Sequence, residues 1–229
     1  MSQRELAAAI GIAAHSYINA LETGKKKPTI DLVMQLAKLF GVSADQWETA
    51  CMITPVTALV MIDAQQGLLD GEAAIPDAAI VIGRLIKVLA AARAAGTVII
   101  HLQNDGAEGA LDEPGTPGWL IHPKVVPEPG EFVLRKTRDD GFDGTELEDI
   151  LARKGVTRIA VAGLLSEMCV SATIRGAFAR SLQVVLVHDA HATYNLDDIP
   201  SSIVSRVAEH TLGDELELAD ADSIVFGRP

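Results

Sequence analysis

With 229 residues, 48% of them hydrophobic, and positive mean hydropathy, the chain has enough apolar material for one substantial core plus a small module, which excludes a disordered or fibrous protein. Its formal net charge of -12 is unevenly spread: the first 54 residues balance five positive against five negative side chains, so the remainder carries 14 (19 less 5) against 26 (31 less 5). A surface of that sign argues against phosphate-backbone binding by the larger part and favours solubility.

Residues 2–11 open with Ser2, a helix-capping residue, followed by Gln3, Arg4 and Glu5 and then apolar Leu6, Ala7 and Ile10, the spacing of a short helix. Residues 12–22 supply a second helix, ended by Gly24 and the turn Lys25, Lys26, Lys27, Pro28. Thr29 caps a third that runs to Phe40, and residues 42–48 form a fourth short turn. Because Glu5 precedes the apolar run 6–14, that run belongs to these helices and not to a signal peptide. Residues 48–56 read as a linker, which places a boundary near Thr54 and divides the chain into 1–54 and 55–229.

Beyond the boundary, strand and helix patterns alternate. They are strand 58–62, helix 78–95, strand 97–102, a Gly- and Pro-rich excursion over 104–131, strand 132–135, helix 145–154, strand 157–162, helix 169–180, strand 183–188 and helix 200–212. An excursion of that length inside a compact domain is usually functional. Alternation of this kind predicts a three-layer α/β fold, helices covering both faces of a mainly parallel, doubly wound sheet. No run reaches the length needed to cross a membrane. Cys51 and Cys169 lie far apart, which indicates no disulfide framework and points to a reducing, cytoplasmic setting.

Two polar residues stand at the C-terminal ends of predicted strands, the edge of an open parallel sheet where ligands bind, and a cysteine follows a third strand at the start of a helix. Asp63 ends the apolar run 58–62, Lys136 follows 132–135, and Cys169 stands at the start of a helix just after strand 157–162 and the segment Gly163, Leu164, Leu165, Ser166. Helix-terminal amides and a neighbouring ammonium are expected to lower the pKa of such a thiol, and the thiolate is the form that attacks carbonyl carbon. The bland alternative is a buried, inert cysteine.

Four segments, ALVMIDAQQ from Ala58, VLRKTRDDGFDGTEL from Val133, GLLSEMCVSA from Gly163 and VLVHDAHAT from Val185, resemble in order and spacing the isochorismatase-like cysteine hydrolases, a family that includes nicotinamidases and N-carbamoylsarcosine amidohydrolases. The resemblance implies a catalytic triad of Asp63, Lys136 and Cys169, an oxyanion hole built from the backbone amides of Leu165 and Cys169, and a non-proline cis peptide between Leu164 and Leu165. It further implies hydrolysis of a C–N bond, in an amide, imide, lactam or ureido group of a small molecule, through a thioester. Family members that cleave an ether lack a cysteine at the position of Cys169. Gln65, two residues after Asp63, and His101, Asn104, Trp119 and Phe142 are candidates to line the substrate pocket. Nicotinamidases hold a divalent ion through histidines in the loop after the first strand, whereas residues 65–77 here contain none, and His101, His122, His188 and His191 are scattered. We therefore expect no catalytic metal, no other cofactor and a homo-oligomer.

The front segment, SQRELAAAIG followed by YINALETGKKKPTIDLVMQLAKLFGVS, resembles helix-turn-helix regulators of the repressor class, with residues 13–21 as the helix that would read DNA. Members of that class carry a further helix before the Ser-Gln start. A neutral segment without it, attached to a strongly acidic remainder, is expected to bind duplex DNA poorly. The alternative function from another class is a transcriptional regulator whose hydrolase-like part senses a small ligand.

Overall fold

The computed structural model describes Lys38, Leu39 and residues 54–229. The chain divides into two units, Met1–Thr54 and Pro55–Pro229. Lys38 and Leu39 are helical, and the other positions of the helices expected in the front segment lie outside the described residues.

In the second unit, six parallel strands form one sheet: β1 (Ala58–Ile62), β2 (Val98–Asn104), β3 (Phe132–Lys136), β4 (Arg158–Leu164), β5 (Gln183–Ala192) and β6 (Glu217–Ala219), in spatial order β3-β2-β1-β4-β5-β6. All five side chains of β1 are buried, as expected for a central parallel strand covered on both faces. Its alternate residues go to different cores. Leu59 and Met61 join Leu85, Val88 and Leu89 of helix α2 (Ala78–Ala95), after a short helix α1 (Gln66–Leu69). Ala58, Val60 and Ile62 join Leu147, Ile150 and Leu151 of α3 (Leu147–Arg153) and Ile174 and Ala177 of α4 (Ser171–Ala179). The period of two along the strand thus produces the three-layer arrangement. A last helix, α5 (Ser201–Thr211), packs against β5 and the turn before α4. Among the described residues, no helix is long and apolar enough to cross a membrane.

Differences from the sequence reading have local causes. The start of α4 lies two residues past Cys169, because Ser166–Val170 form a single π-helical turn kinked at Met168. Strands β4 and β5 both run further than their apolar patterns, since after a register shift Gly163 pairs with His191 and Leu164 with Ala192. The excursion after β2 is packed against the sheet end. Backbone passes so closely there that a Cβ on Gly67 or Gly118 would sit 2.3 or 2.1 Å from the Leu111 carbonyl oxygen.

The order reverses between β1 and β4. Chain connections leave to opposite sides at that point, and a crevice opens at the C-terminal strand ends.

Candidate active site

Three side chains converge in that crevice. Asp63 follows β1 with φ 48°, a left-handed conformation that Asp tolerates better than most residues, and its amide donates to the Leu102 carbonyl at 2.9 Å. Lys136 ends β3, paired across the sheet with Asn104 at the end of β2. Cys169 sits in the π-helical turn after β4. From Lys136, Nζ reaches Oδ2 of Asp63 at 2.9 Å, Sγ of Cys169 at 3.2 Å and Oδ1 of Asn104 at 3.3 Å. An ammonium has three protons, so this one is fully engaged. All three residues are buried, Asp63 and Lys136 at 2% exposure and Cys169 at 8%. One buried cation faces one buried anion, the arrangement that makes burial of either tolerable.

Burial decides the electrostatics. The Asp63 carboxyl is pushed up to about 6 by loss of solvent, although the Lys136 ammonium pulls it back down. Burial and the Asp63 charge together raise the Cys169 thiol to about 12, against the lowering effect of Lys136. For Lys136, burial alone works downward, but the charges of Asp63 and Cys169 outweigh it and the net shift is upward. This corrects the expectation of a lowered thiol: at rest the sulfur keeps its proton, because desolvation exceeds the help from Lys136 and α4 does not begin at Cys169. The second oxygen of the Asp63 carboxylate, Oδ1, is buried without a hydrogen-bond partner among the described residues. An unpartnered buried carboxylate oxygen beside a protonated thiol is equipped to take that proton.

The expected pocket residues divide. Asn104 belongs to the cluster: its Oδ1 accepts from Lys136 and its Nδ2 donates to Asp112 at 2.6 Å. Gln65 is a correction. It is fully buried, with Nε2 donating to the Asn104 and Trp119 carbonyls and Oε1 accepting from the Asn104 amide, so its polar atoms tie β1 to β2 and the excursion and do not face a ligand. His101 is another. It contacts Glu131 at 2.8 Å beside Arg93 of α2, on the opposite face of the sheet from Cys169, with its pKa lowered by burial. Phe142 is buried in the core beneath the guanidinium of Arg180, 4.4 Å from the ring centre. Trp119 is half-buried, its indole nitrogen donating to Asp105 at 2.9 Å and its face covered by Arg135.

A cleft of about 500 Å³ lies next to the π-helical turn that carries Cys169, lined by Asp139, Glu167, Met168, Leu196, Ile199 and Val207 but not by Cys169 itself. Oδ1 of Asp139 lies 3.6 Å from Cys169 Sγ. Neither Asp139 nor the α5 wall was expected. The first had a readable signal, standing three residues after Lys136 in a segment already singled out; the second had none. The amide of Leu165 donates to no backbone carbonyl among the described residues, and the peptide joining Leu164 to Leu165 is cis. As for metal ligands, the histidines read as scattered are not all so: His188, His191 and Glu209 come together in a separate cleft.

Residues 57–210 match the isochorismatase domain, and residues 1–47 match a helix-turn-helix family. Over 177 residues the chain is 51% identical to a streptothricin hydrolase of Streptomyces noursei, covering 74% of this chain and 70% of that protein. Among solved structures it is similar to an isochorismatase from Pseudomonas putida KT2440, with a TM-score of 0.70 and 27% identity over 87% of this chain and 100% of that one. It is also similar to N-carbamoylsarcosine amidase from Thermoplasma acidophilum, with a TM-score of 0.61 and 26% identity over 73% and 97%.

Proposed function

The chain belongs to the isochorismatase family, and from that premise we propose that it is a cysteine hydrolase cleaving a C–N bond of a small amide, imide, lactam or ureido compound through a thioester on Cys169. The observation that carries this reading is the buried Lys136 ammonium held between Asp63 Oδ2 and Cys169 Sγ. That the relatives named above include a streptothricin hydrolase and an N-carbamoylsarcosine amidase supports a C–N bond as the target.

In this mechanism Asp63 accepts the thiol proton as sulfur attacks the carbonyl carbon. The developing oxyanion is received by the amides of Leu165 and Cys169, the first of which is free of a backbone acceptor. When the tetrahedral species collapses, the C–N bond breaks and Asp63 hands its proton to the departing nitrogen. Water then adds to the thioester, giving one proton to Asp63, and the acid leaves as the thiol is restored. Lys136 stabilises whichever of Asp63 and Cys169 carries the negative charge, and Asn104 holds Lys136 in place. We propose that residues 55–229 suffice for this activity and that the enzyme works as a cytoplasmic homo-oligomer.

A screen of small amides, ureido compounds and lactams for amine or ammonia release, with mass spectrometry of the quenched enzyme, tests the reading. The expected result is an acyl adduct confined to Cys169; turnover with no adduct under rapid quench and full activity after Cys169 is replaced would reject it. Asp63 acts as a base only when ionised, and it is ionised above about 6. The rate is therefore expected to fall tenfold per pH unit below about 6, and a profile flat down to pH 4 would contradict this role for Asp63.

The match of residues 1–47 to a helix-turn-helix family favours a second reading, a regulator that uses the hydrolase domain to sense a ligand. Gel shift with DNA upstream of the chain's own gene separates the two. With five positive and five negative side chains in the first 54 residues, we expect no sequence-specific complex at physiological salt, and nanomolar specific binding would establish the regulator.

A further inference from the structure

We propose that His188, His191 and Glu209 form a divalent-cation site of the zinc type, distinct from the triad, that clips α5 to β5. In a regular strand, residues three apart point to opposite faces. Here the register between β4 and β5 shifts, Val161 pairing with Leu186 but Gly163 with His191, so five residues of β5 run against two of β4. That irregularity lets His188 and His191 turn toward the same helix. Glu209, from the third turn of α5, places Oε1 2.6 Å from His188 Nδ1 and 2.8 Å from His191 Nε2. All three potential ligand atoms lie within 4.8 Å of one another.

Two imidazole nitrogens and a carboxylate oxygen are a set that suits Zn²⁺, with a fourth position left for water. A second observation points the same way. The ring nitrogen of His191 that faces away from Glu209, Nδ1, is 2.8 Å from Ser166 Oγ, which in turn contacts Ser205 Oγ at 2.9 Å. A hydrogen bond on the far nitrogen is what fixes the tautomer and orientation of a metal-ligating histidine. The His191 side chain is 1% exposed and that of His188 45%, so one ligand is built in and the other admits the ion. Above the three atoms lies a cleft of about 240 Å³ rimmed by Ser201, Ser202 and Arg206. Val204, Val207 and Ala208 of the same helix line the larger cleft beside Cys169, so a cation here braces one wall of that cleft without entering the chemistry.

The full chain, freed of metal by chelator, is titrated with Zn²⁺ by calorimetry and with Co²⁺ by absorption. Expected are one equivalent bound with micromolar affinity, the intense visible absorption of four-coordinate Co²⁺, and a Tm raised by about 5 °C at a hundredfold excess over Kd. In His188→Ala and Glu209→Gln the affinity falls at least tenfold and the Tm rise disappears. Melting of both variants in chelator tells a lost site from a lost fold, and Glu209→Gln keeps the helix contact in shape. If the wild type takes up no Zn²⁺, or if both variants bind it as the wild type does, the proposal is overturned.

Discussion

Cys169→Ala and Asp63→Asn are each expected to remove turnover, by more than ~10⁴-fold, while leaving Tm within a few degrees of the parent. The sulfur is the atom that forms the thioester, and among the described residues it is the one thiol in contact with the Lys136 ammonium, where Asp63 is assigned the proton and not the attack. In Asp63→Asn the amide keeps an oxygen for Lys136 but cannot take a proton from a thiol whose pKa stands at about 12, so the attacking species never forms. Melting curves and single-turnover assays on the two proteins check this. Activity above a few per cent of the parent in either would show that the chemistry lies elsewhere. Lys136→Ala is expected to be inactive for a related reason: without the ammonium the buried Asp63 carboxyl climbs above about 6 and stays protonated at neutral pH.

Gly163→Ala should cost stability on a comparable scale. Gly163 lies in the middle of the sheet with φ 128°, and a Cβ there would be 2.0 Å from the Ile62 carbonyl oxygen and 2.7 Å from the Ile62 nitrogen. Both obstacles are backbone, in the strand that carries Asp63, so neither can rotate away. We expect a loss of about 4 kcal/mol or more and a Tm lower by roughly 10 °C, or insoluble protein. Gly83→Ala is the control: it lies exposed in α2 with nothing within 4 Å, and helix propensity there favours alanine by up to ~1 kcal/mol. Equal melting temperatures for the parent and Gly163→Ala would mean that β1 and β4 tolerate separation at this point.

How far each feature could be read from sequence follows from how local its cause is. The core of β1 and the full extent of α2 were legible, because apolar runs and a helical period are properties of short windows. Asp63 and Lys136 were singled out because strand ends in an open parallel sheet share the edge where ligands bind, and Cys169 because it follows a strand at the start of a predicted helix. The resemblance of their segments to a known family is what joined the three into a proposed triad. His101 was misplaced although the signal against it was present. Asn104 reaches Lys136 from β2, so a residue three positions earlier on the same strand has to face the other way. For Gln65 the missing information was partners: its side chain is consumed by two carbonyls and an amide contributed by residues 39 and 54 positions away. The raised thiol was not legible because burial, which sets it, depends on every layer around the site. Nor was the meeting of His188, His191 and Glu209, which needs both a strand irregularity and a helix that returns to it.

Lys136 spends all three of its protons within the cluster, and this has a consequence for how the reaction meets its surroundings. When the proton crosses from sulfur to Asp63, the negative charge changes atoms but not number, and the cation beside it does not change at all. The enclosed volume holds the same net charge before and after the step. Dissolved ions, which act over a Debye length of ~8 Å at physiological strength, therefore have no change of charge to answer. Ionic strength reaches the enzyme instead through the journey of a charged substrate toward a chain of net charge -12, where added salt slows the arrival of cations and eases that of anions.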